Sequence, residues 1–432
     1  MKTFYIAAAA ILVSSTALAS QPWTLDSCIS YALSHNIDIR ARSLESRSAE
    51  LDVTEAKDKF LPQVSAGANQ TFNFGRGLTS ANTYADRNTS EFGWNVGLSL
   101  PLFQGLSAKR QLDYARANLS AMLENIEAAK DDVTLQVMSQ YLQVLYCGEL
   151  LDVAKEQVRI STVELERQQV LFEAGKIPEL DLTQARSQLA QDQLTEVTSA
   201  NDRRIALVDL AHLLQITDLT DFEIAPLSDE QTLLPDAATI YANALGINHA
   251  IKASELNIAT ADRQISLAKT GYIPRLSLNA GLSSAYYKIS GIENPSFARQ
   301  MRDNFNKSIG FTLSIPIFDA FSTRNAVRKA QVQRLNAELQ YENATTTLNK
   351  AIQQAYYQAE AASAKLSAGI TAREAAREAM DAMQEKYNFG RANATEFEQA
   401  KTTYIKASAE AVQAKYEALL RMRILQFYNS GR

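Results

Sequence analysis

Residues 104–172 run for about 69 positions without a proline and with only two glycines, Gly105 and Gly148. Across this stretch apolar residues recur at helical spacing: Leu119, Leu123, Ile126, Val133, Val137, Tyr141, Val144, Leu145 and Leu151. One helix of that length would be roughly 100 Å long at 1.5 Å rise per residue, beyond the diameter of any ordinary domain. A period sustained over so many turns leaves a coiled coil, a membrane span or a helical repeat. Lys109, Arg110, Glu124, Glu127, Lys130, Asp131, Asp132, Glu149, Lys155 and Glu156 exclude a span, because no window approaches 18 uncharged apolar residues.

The chain has 432 residues, 46% of them hydrophobic and 21% charged, with 16 glycines and nine prolines. That composition belongs to a folded protein dominated by helices rather than a disordered one. The formal charge is −5, and removal of Lys2 with the leader would make it more negative, so nucleic acid has no electrostatic support as a partner. Residues 1–19, MKTFYIAAAAILVSSTALA, have a lysine, an apolar run from Phe4 to Val13 and a small-residue cleavage signal at Ala17-Leu18-Ala19. They read as a secretory signal peptide. Export would permit Cys28 and Cys147 to oxidise, but two distant cysteines make no disulfide framework. Leu25-Asp26-Ser27-Cys28 superficially resembles a lipidation box, yet it follows the polar Gln21-Pro22-Trp23-Thr24, so both thiols are expected to be structural.

The mature chain is written twice. In the first repeat, 20–215, a helix from about Thr24 to Phe60 precedes a strand at 63–74, where Val64, Ala66, Ala68, Phe72 and Phe74 alternate with Ser65, Gly67, Asn69, Thr71 and Asn73. A polar loop leads to a second strand at 92–102, with Phe92, Trp94, Val96, Leu98, Leu100 and Leu102 opposed to Gly93, Asn95, Gly97 and Ser99. The long helix of 104–172 then turns at Gly175 into a return helix over 178–214, with Pro178 suited to its first turn. A connector rich in Asp, Thr and Pro occupies 216–235. The second repeat, 236–432, again holds a helix, strands at 275–287 and 305–316, a long helix at 319–387 and a return helix at 393–428. Pro62 in FLPQVSAG answers Pro274 in YIPRLSLN at an offset of 212; Pro101 in LSLPLF answers Pro316 in LSIPIF, and Gly175 answers Gly390, both at 215. Three landmarks in order mark an internal duplication. The second long helix carries many alanines on steps of three and four, the period of a left-handed coiled coil loosened at Gly369 and Arg373.

Each strand presents one face of large apolar groups, with no helix nearby to cover all of them. Strands of about ten residues, apolar on one face and small and polar on the other, fit a transmembrane β-barrel, which must close because lipid satisfies no open sheet edge. Four strands cannot close a useful barrel, so the chain must oligomerise.

The leader, WTLDSCISYALSHN at the mature start, the strand openings FLPQVS and YIPRLS, the strand ends LSLPLF and LSIPIF, and the turns around Gly175 and Gly390 together resemble the TolC-like outer membrane efflux proteins. The resemblance spans essentially the whole mature chain. It implies an α+β membrane protein in the outer membrane of a Gram-negative bacterium: a homotrimer with one twelve-stranded barrel, continued through the periplasm by a helical tunnel tapered shut at its far end. It implies a passive exit duct for small molecules such as drugs, working with a periplasmic adaptor and an inner-membrane pump. Metal efflux and type I protein secretion use similar ducts. A non-pore periplasmic coiled-coil protein would explain the long helices but leave the apolar strand faces unexplained, and a pump-free porin would need no such helices.

No enzyme and no cofactor are expected. His35, His212 and His249 lack metal-ligand spacing, and GxSxG, Walker and HExxH patterns are absent. Asn69, Asn73, Asn95 and Asn279 are candidates to wet the pore. By resemblance the turns line the closed tunnel end and meet the adaptor, which singles out Gly175, Lys176, Asp181, Tyr387, Gly390, Arg391, Glu396 and Gln399. Asp181, six after Gly175, and Tyr387, three before Gly390, match family positions. The family's gate arginine falls where this chain has Ala392, with Arg391 one residue earlier; Glu396 stands at a family aspartate and Gln399 replaces another. Thr395 with Glu398 also reads as a capping box.

Overall fold

A computed structural model describes residues 22–78, 82–220, 222–227 and 235–431. The leader and much of the connector lie outside the described residues. The chain forms two compact units, one of 1–40, 129–244 and 351–432 and the other of 41–128 and 245–350. Among the described residues no helix is long and apolar enough to cross a membrane.

The second unit holds the strands. β1 (Gln63–Asn73), β4 (Thr89–Phe103), β5 (Arg275–Ile289) and β6 (Asn306–Ser314) form one antiparallel sheet in the order β1-β4-β5-β6. The chain leaves β1 through a small hairpin, β2 (Arg76–Leu78) with β3 (Tyr84–Asp86), where the sequence suggested only polar loop. Its strands are three residues each, too short for periodicity to show. β4 runs past Pro101 to Phe103, and the register shifts between those two residues because proline offers no N–H to the ladder. Every residue of the edge strands β1 and β6 is exposed, whereas β4 and β5 are mostly half-buried. Ile309 is 78% exposed and Phe311 69%. Both edges of the sheet are thus uncovered within one copy, and so is its apolar face apart from the far end, where Phe297 packs on Phe92 and Tyr286, and Phe305 on Trp94.

Helices begin and end where backbone geometry forces them to. The single N-terminal helix expected over 24–60 is two, α1 (Leu25–His35) and α2 (Ile37–Asp58). Asn36 takes φ −58°, ψ 131°, and its side-chain oxygen accepts from the amides of Asp38 and Ile39, so it caps the second helix while ending the first. The second copy breaks in the same way: α5 (Ala237–Ile247) gives way at Asn248, whose side chain caps α6 (His249–Ala268). α3 (Ser107–Glu173) starts three residues later than the pattern of 104–172 suggested, and α8 (Ser322–Asn388) is likewise displaced from 319–387. Each is preceded by two residues in the left-handed region, Gly105 and Leu106 before α3, Ala320 and Phe321 before α8. At Gly105 a side chain is impossible, since a Cβ would lie 2.8 Å from that of Ile273. A short α7 (Phe297–Asp303) sits in the loop before β6, and the return helices are α4 (Glu179–Leu214) and α9 (Ala394–Ser430).

The core of the first unit joins α1, the middle of α3 and the end of α4 through Leu25, Cys28, Val137, Tyr141, Cys147 and Leu210. Trp23 pairs with Ile224 in a parallel bridge, and the Tyr141 hydroxyl lies within hydrogen-bond reach of the carbonyls of Trp23 and Ala225, tying both chain segments to α3. Cys28 and Cys147 are free and buried in this core. Burial pushes the Cys28 thiol up to about 12 and raises that of Cys147 as well. Since the thiolate is the nucleophile, a disulfide-exchange reagent is expected to label neither cysteine in the folded protein and both after denaturation. Rapid labelling of native protein would show that this core opens.

Candidate functional site at the helical turns

The turn from α3 to α4 and the turn from α8 to α9 have the same backbone plan. Gly175 has φ +68° and Gly390 φ +69°. The amide of Lys176 donates to Leu171 O and that of Arg391 to Lys386 O, while Gly175 and Gly390 donate to Phe172 O and Tyr387 O. These bonds satisfy carbonyls that a helix end would leave open. At both glycines a Cβ would meet nothing within 4 Å.

The helices leaving the two turns are capped differently. Pro178 precedes α4 without a side-chain cap, and Glu179 and Asp181 place acids in its first turn. α9 has a complete capping box, but it is Asn393 with Glu396 rather than Thr395 with Glu398. Asn393 Oδ1 accepts from the Glu396 amide at 2.8 Å, and the Glu396 carboxylate accepts from the Asn393 amide at 2.9 Å. Asn393 wins because it is extended, at φ −93° and ψ 167°, whereas Thr395 already lies within the helix. Glu396 therefore has a capping role at the turn.

Of the residues singled out in the sequence, Lys176, Arg391, Glu396 and Gln399 are exposed, Asp181 is half-buried and Tyr387 is buried. Tyr387 anchors a network that the sequence did not reveal. Its hydroxyl donates to Glu164 Oε1 at 2.6 Å and accepts from Gln168 Nε2. The Arg167 guanidinium stacks 4.0 Å over the ring and donates to the Tyr387 carbonyl at 2.9 Å, and Phe397 stacks on the ring nearly parallel, at 5.3 Å and 6°. Burial, then the Glu164 carboxylate, raises the phenol well above its ordinary value, so Tyr387 is a neutral donor. Asp181 and Tyr387 line one small recess together with Glu164, Gln168 and Glu398.

Deeper along the same helices lies a buried ion pair. Lys401 is 1% exposed and Asp192 2%. Lys401 Nζ reaches Asp192 Oδ2 at 3.2 Å and Glu398 Oε2 at 3.4 Å, and it also donates to Ser161 Oγ. Asp192 accepts further from Ser161, from Gln157 at 2.6 Å and from Gln188 at 2.9 Å. Three helices, α3, α4 and α9, thus share one satisfied charge pair. Burial raises the Glu398 carboxyl above the usual range, and Lys401 opposes that shift.

The four asparagines share one face of the sheet. Asn95 lies opposite Gly67 and Ser283, Asn69 opposite Gly93, Asn73 opposite Thr89, and Asn279 opposite Ser99 and Gly310. The glycines make room for the amides, since a Cβ at Gly67 or Gly93 would stand 3.0 Å from Asn95 Oδ1 or Asn69 Oδ1.

Known proteins resemble this chain along nearly its full length. The outer membrane efflux protein BepC of Brucella suis is 22% identical over 420 residues, covering 96% of this chain and 88% of the relative. The outer membrane protein TolC of Escherichia coli is 24% identical over 391 residues, covering 89% and 78%. The alkaline protease secretion protein AprF of Pseudomonas aeruginosa is 26% identical over 358 residues, covering 79% and 70%. In fold, the crystal structure of CusC superposes with a TM-score of 0.79 at 18% identity, covering 94% of this chain and 91% of that one. The CmeC outer membrane channel of Campylobacter jejuni gives 0.76 at 17% identity, covering 94% and 85%. The profile described as outer membrane efflux protein matches twice, over 28–214 and again over 240–427. The chain therefore belongs to the outer membrane efflux protein family, whose members sit in the outer membrane and extend into the periplasm.

Proposed function

We propose that three copies of this chain close a barrel of twelve strands, and that the trimer is the passive exit duct of an efflux pump for small molecules such as drugs. One observation carries the reading: the four-stranded sheet leaves both edge strands unpaired and most of its apolar face uncovered. In a bilayer each unsatisfied backbone group costs several kcal/mol, so β1 of one copy must meet β6 of the next. The asparagine face then lines the pore, and Ile309, Phe311 and Leu313 meet lipid.

An inner-membrane pump and a periplasmic adaptor supply energy and solute. The adaptor docks at the turns, where Lys176 and Arg391 are exposed beside Gly175 and Gly390, and the Tyr387 network holds the gate closed. Likeness to AprF, named for alkaline protease secretion, favours one second reading, the exit duct of a type I protein secretion system. Metal efflux is the remaining variant of the same duct. The pump and adaptor recovered with the cross-linked protein distinguish these.

Assembly is the first test. Protein extracted from outer membranes in mild detergent is expected to have a protein mass three times that of the leader-free monomer, with a strong β signal. A monodisperse monomer would remove the duct.

A further inference from the structure

We propose that Arg275, Lys59 and the N-terminus of α3 form an anion-binding collar at the helix-proximal end of the strands, giving the duct a preference for solutes carrying carboxylate, phosphate or sulfate groups. The inference rests on the duct reading above, because only in the closed barrel does this face become a lumen.

Arg275 opens β5, pairs with Ser314 of β6 and shares its face with Asn279. Along that face the paired residues are small or amide-bearing except at the far end, where Tyr287 and Ile289 of β5 stand opposite Glu91 and Thr89; its two charges are Glu91 and Arg275. Glu91 lies opposite Tyr287, twelve residues along β5 from Arg275, so roughly 40 Å separate the two levels. That is several Debye lengths at physiological salt, so Glu91 does not offset Arg275.

A recess of 500 Å³ gathers Arg275, Lys59, Thr312, Ser314, Gln104 and Ser107. Arg275 makes no ion pair among the described residues. Lys59 meets Glu55 at 3.7 Å, but both side chains are exposed and such a pair holds little. Ser107 is the first residue of α3, so the positive end of a 67-residue helix also opens here.

The duplication supplies an internal contrast. Before α8, Asp319 accepts from the Thr323 amide at 2.8 Å and places an acid at the helix start. The matching position before α3, at the offset of 215, is Gln104, and the first turn of α3 contains no acid. Two cations and an unneutralised helix end therefore converge with hydroxyl donors on one recess, whose remaining lining includes Leu61, Phe103 and Leu276, and the charged side of it is a setting for an anion. In the trimer six side-chain cations would ring the pore.

The test uses purified trimer in planar bilayers, with the reversal potential read in a potassium chloride gradient and block read with added pyrophosphate. The native duct is expected to favour chloride. An Arg275→Gln, Lys59→Gln variant should shift the reversal potential toward potassium and raise the half-blocking pyrophosphate concentration about tenfold or more. Arg275→Lys should retain most of the preference, and Arg299→Gln, in the loop helix α7, should behave as native. Conductance with unchanged selectivity and block in the double glutamine variant would overturn the collar and leave the duct standing. Because the native gate is held closed, the same measurement is made on a trimer whose gate is loosened by Tyr387→Ala, and no conductance from that trimer would instead overturn the duct itself.

Discussion

Lys401→Met is expected to lower the opening free energy of the α3, α4 and α9 segments by about 3–5 kcal/mol, the usual cost of stranding one partner of a buried pair. Asp192 would keep its bonds from Ser161, Gln157 and Gln188 but lose its cation in a site that is 2% exposed. Adding Asp192→Leu should restore most of the loss, because well-packed apolar replacements for a buried pair are often neutral. Hydrogen exchange of the amides around 157–161, 188–192 and 398–404 reads each step. Equal protection in native protein and Lys401→Met would show the pair to be energetically idle.

Such a pair has a use in helices of this kind. Ala376, Ala411 and Ala414 are buried in small-residue seams, and a Cβ at Gly369 would come within 3.4 Å of the Ala411 backbone. Seams of small residues pack closely but distinguish poorly between registers one turn apart. A single buried charge pair penalises every register but one, which is the best-attested role for polar groups in coiled coils.

The periodic parts of this fold were legible because they repeat. Period-two and period-3.5 patterns located the four long strands and four long helices, and the 212 and 215 offsets located the duplication, since each signal accumulates over many residues. Short or locally determined features were not legible in this way. The β2–β3 hairpin and α7 are too brief to show a period, and the breaks at Asn36 and Asn248 depend on one side chain capping the next helix. The turn glycines could be read from the sequence because a helix end selects them. The partners of Tyr387 could not, because Glu164 and Gln168 lie more than two hundred residues away in the chain. A trace of the buried pair was nevertheless present. Phe397, Lys401, Tyr404, Ser408 and Ala411 follow steps of four and three, so a lysine stands in an apolar stripe.

The Gly175→Val, Gly390→Val double variant is expected to assemble normally and to lose efflux. Both positions hold φ near +70°, where an L side chain costs about 1–2 kcal/mol and a β-branched one more. Because a Cβ would meet open space at either site, the penalty is backbone conformation rather than collision. The chain can relieve it only by leaving the left-handed region, which withdraws the Lys176 bond to Leu171 and the Arg391 bond to Lys386. Lys176 and Arg391 would then change direction, and the pull on Tyr387, three residues before Gly390, would disturb its contacts with Glu164 and Arg167. The strands share none of these residues, so trimer mass in detergent should match the native protein. Alanine at both sites should distort the turns less and retain partial efflux. Dye export from cells carrying the cognate pump and adaptor, together with adaptor cross-linking at the turns, provides the measurement. Full export with native cross-linking in the valine variant would reduce the turns to connectors and remove them from the gate.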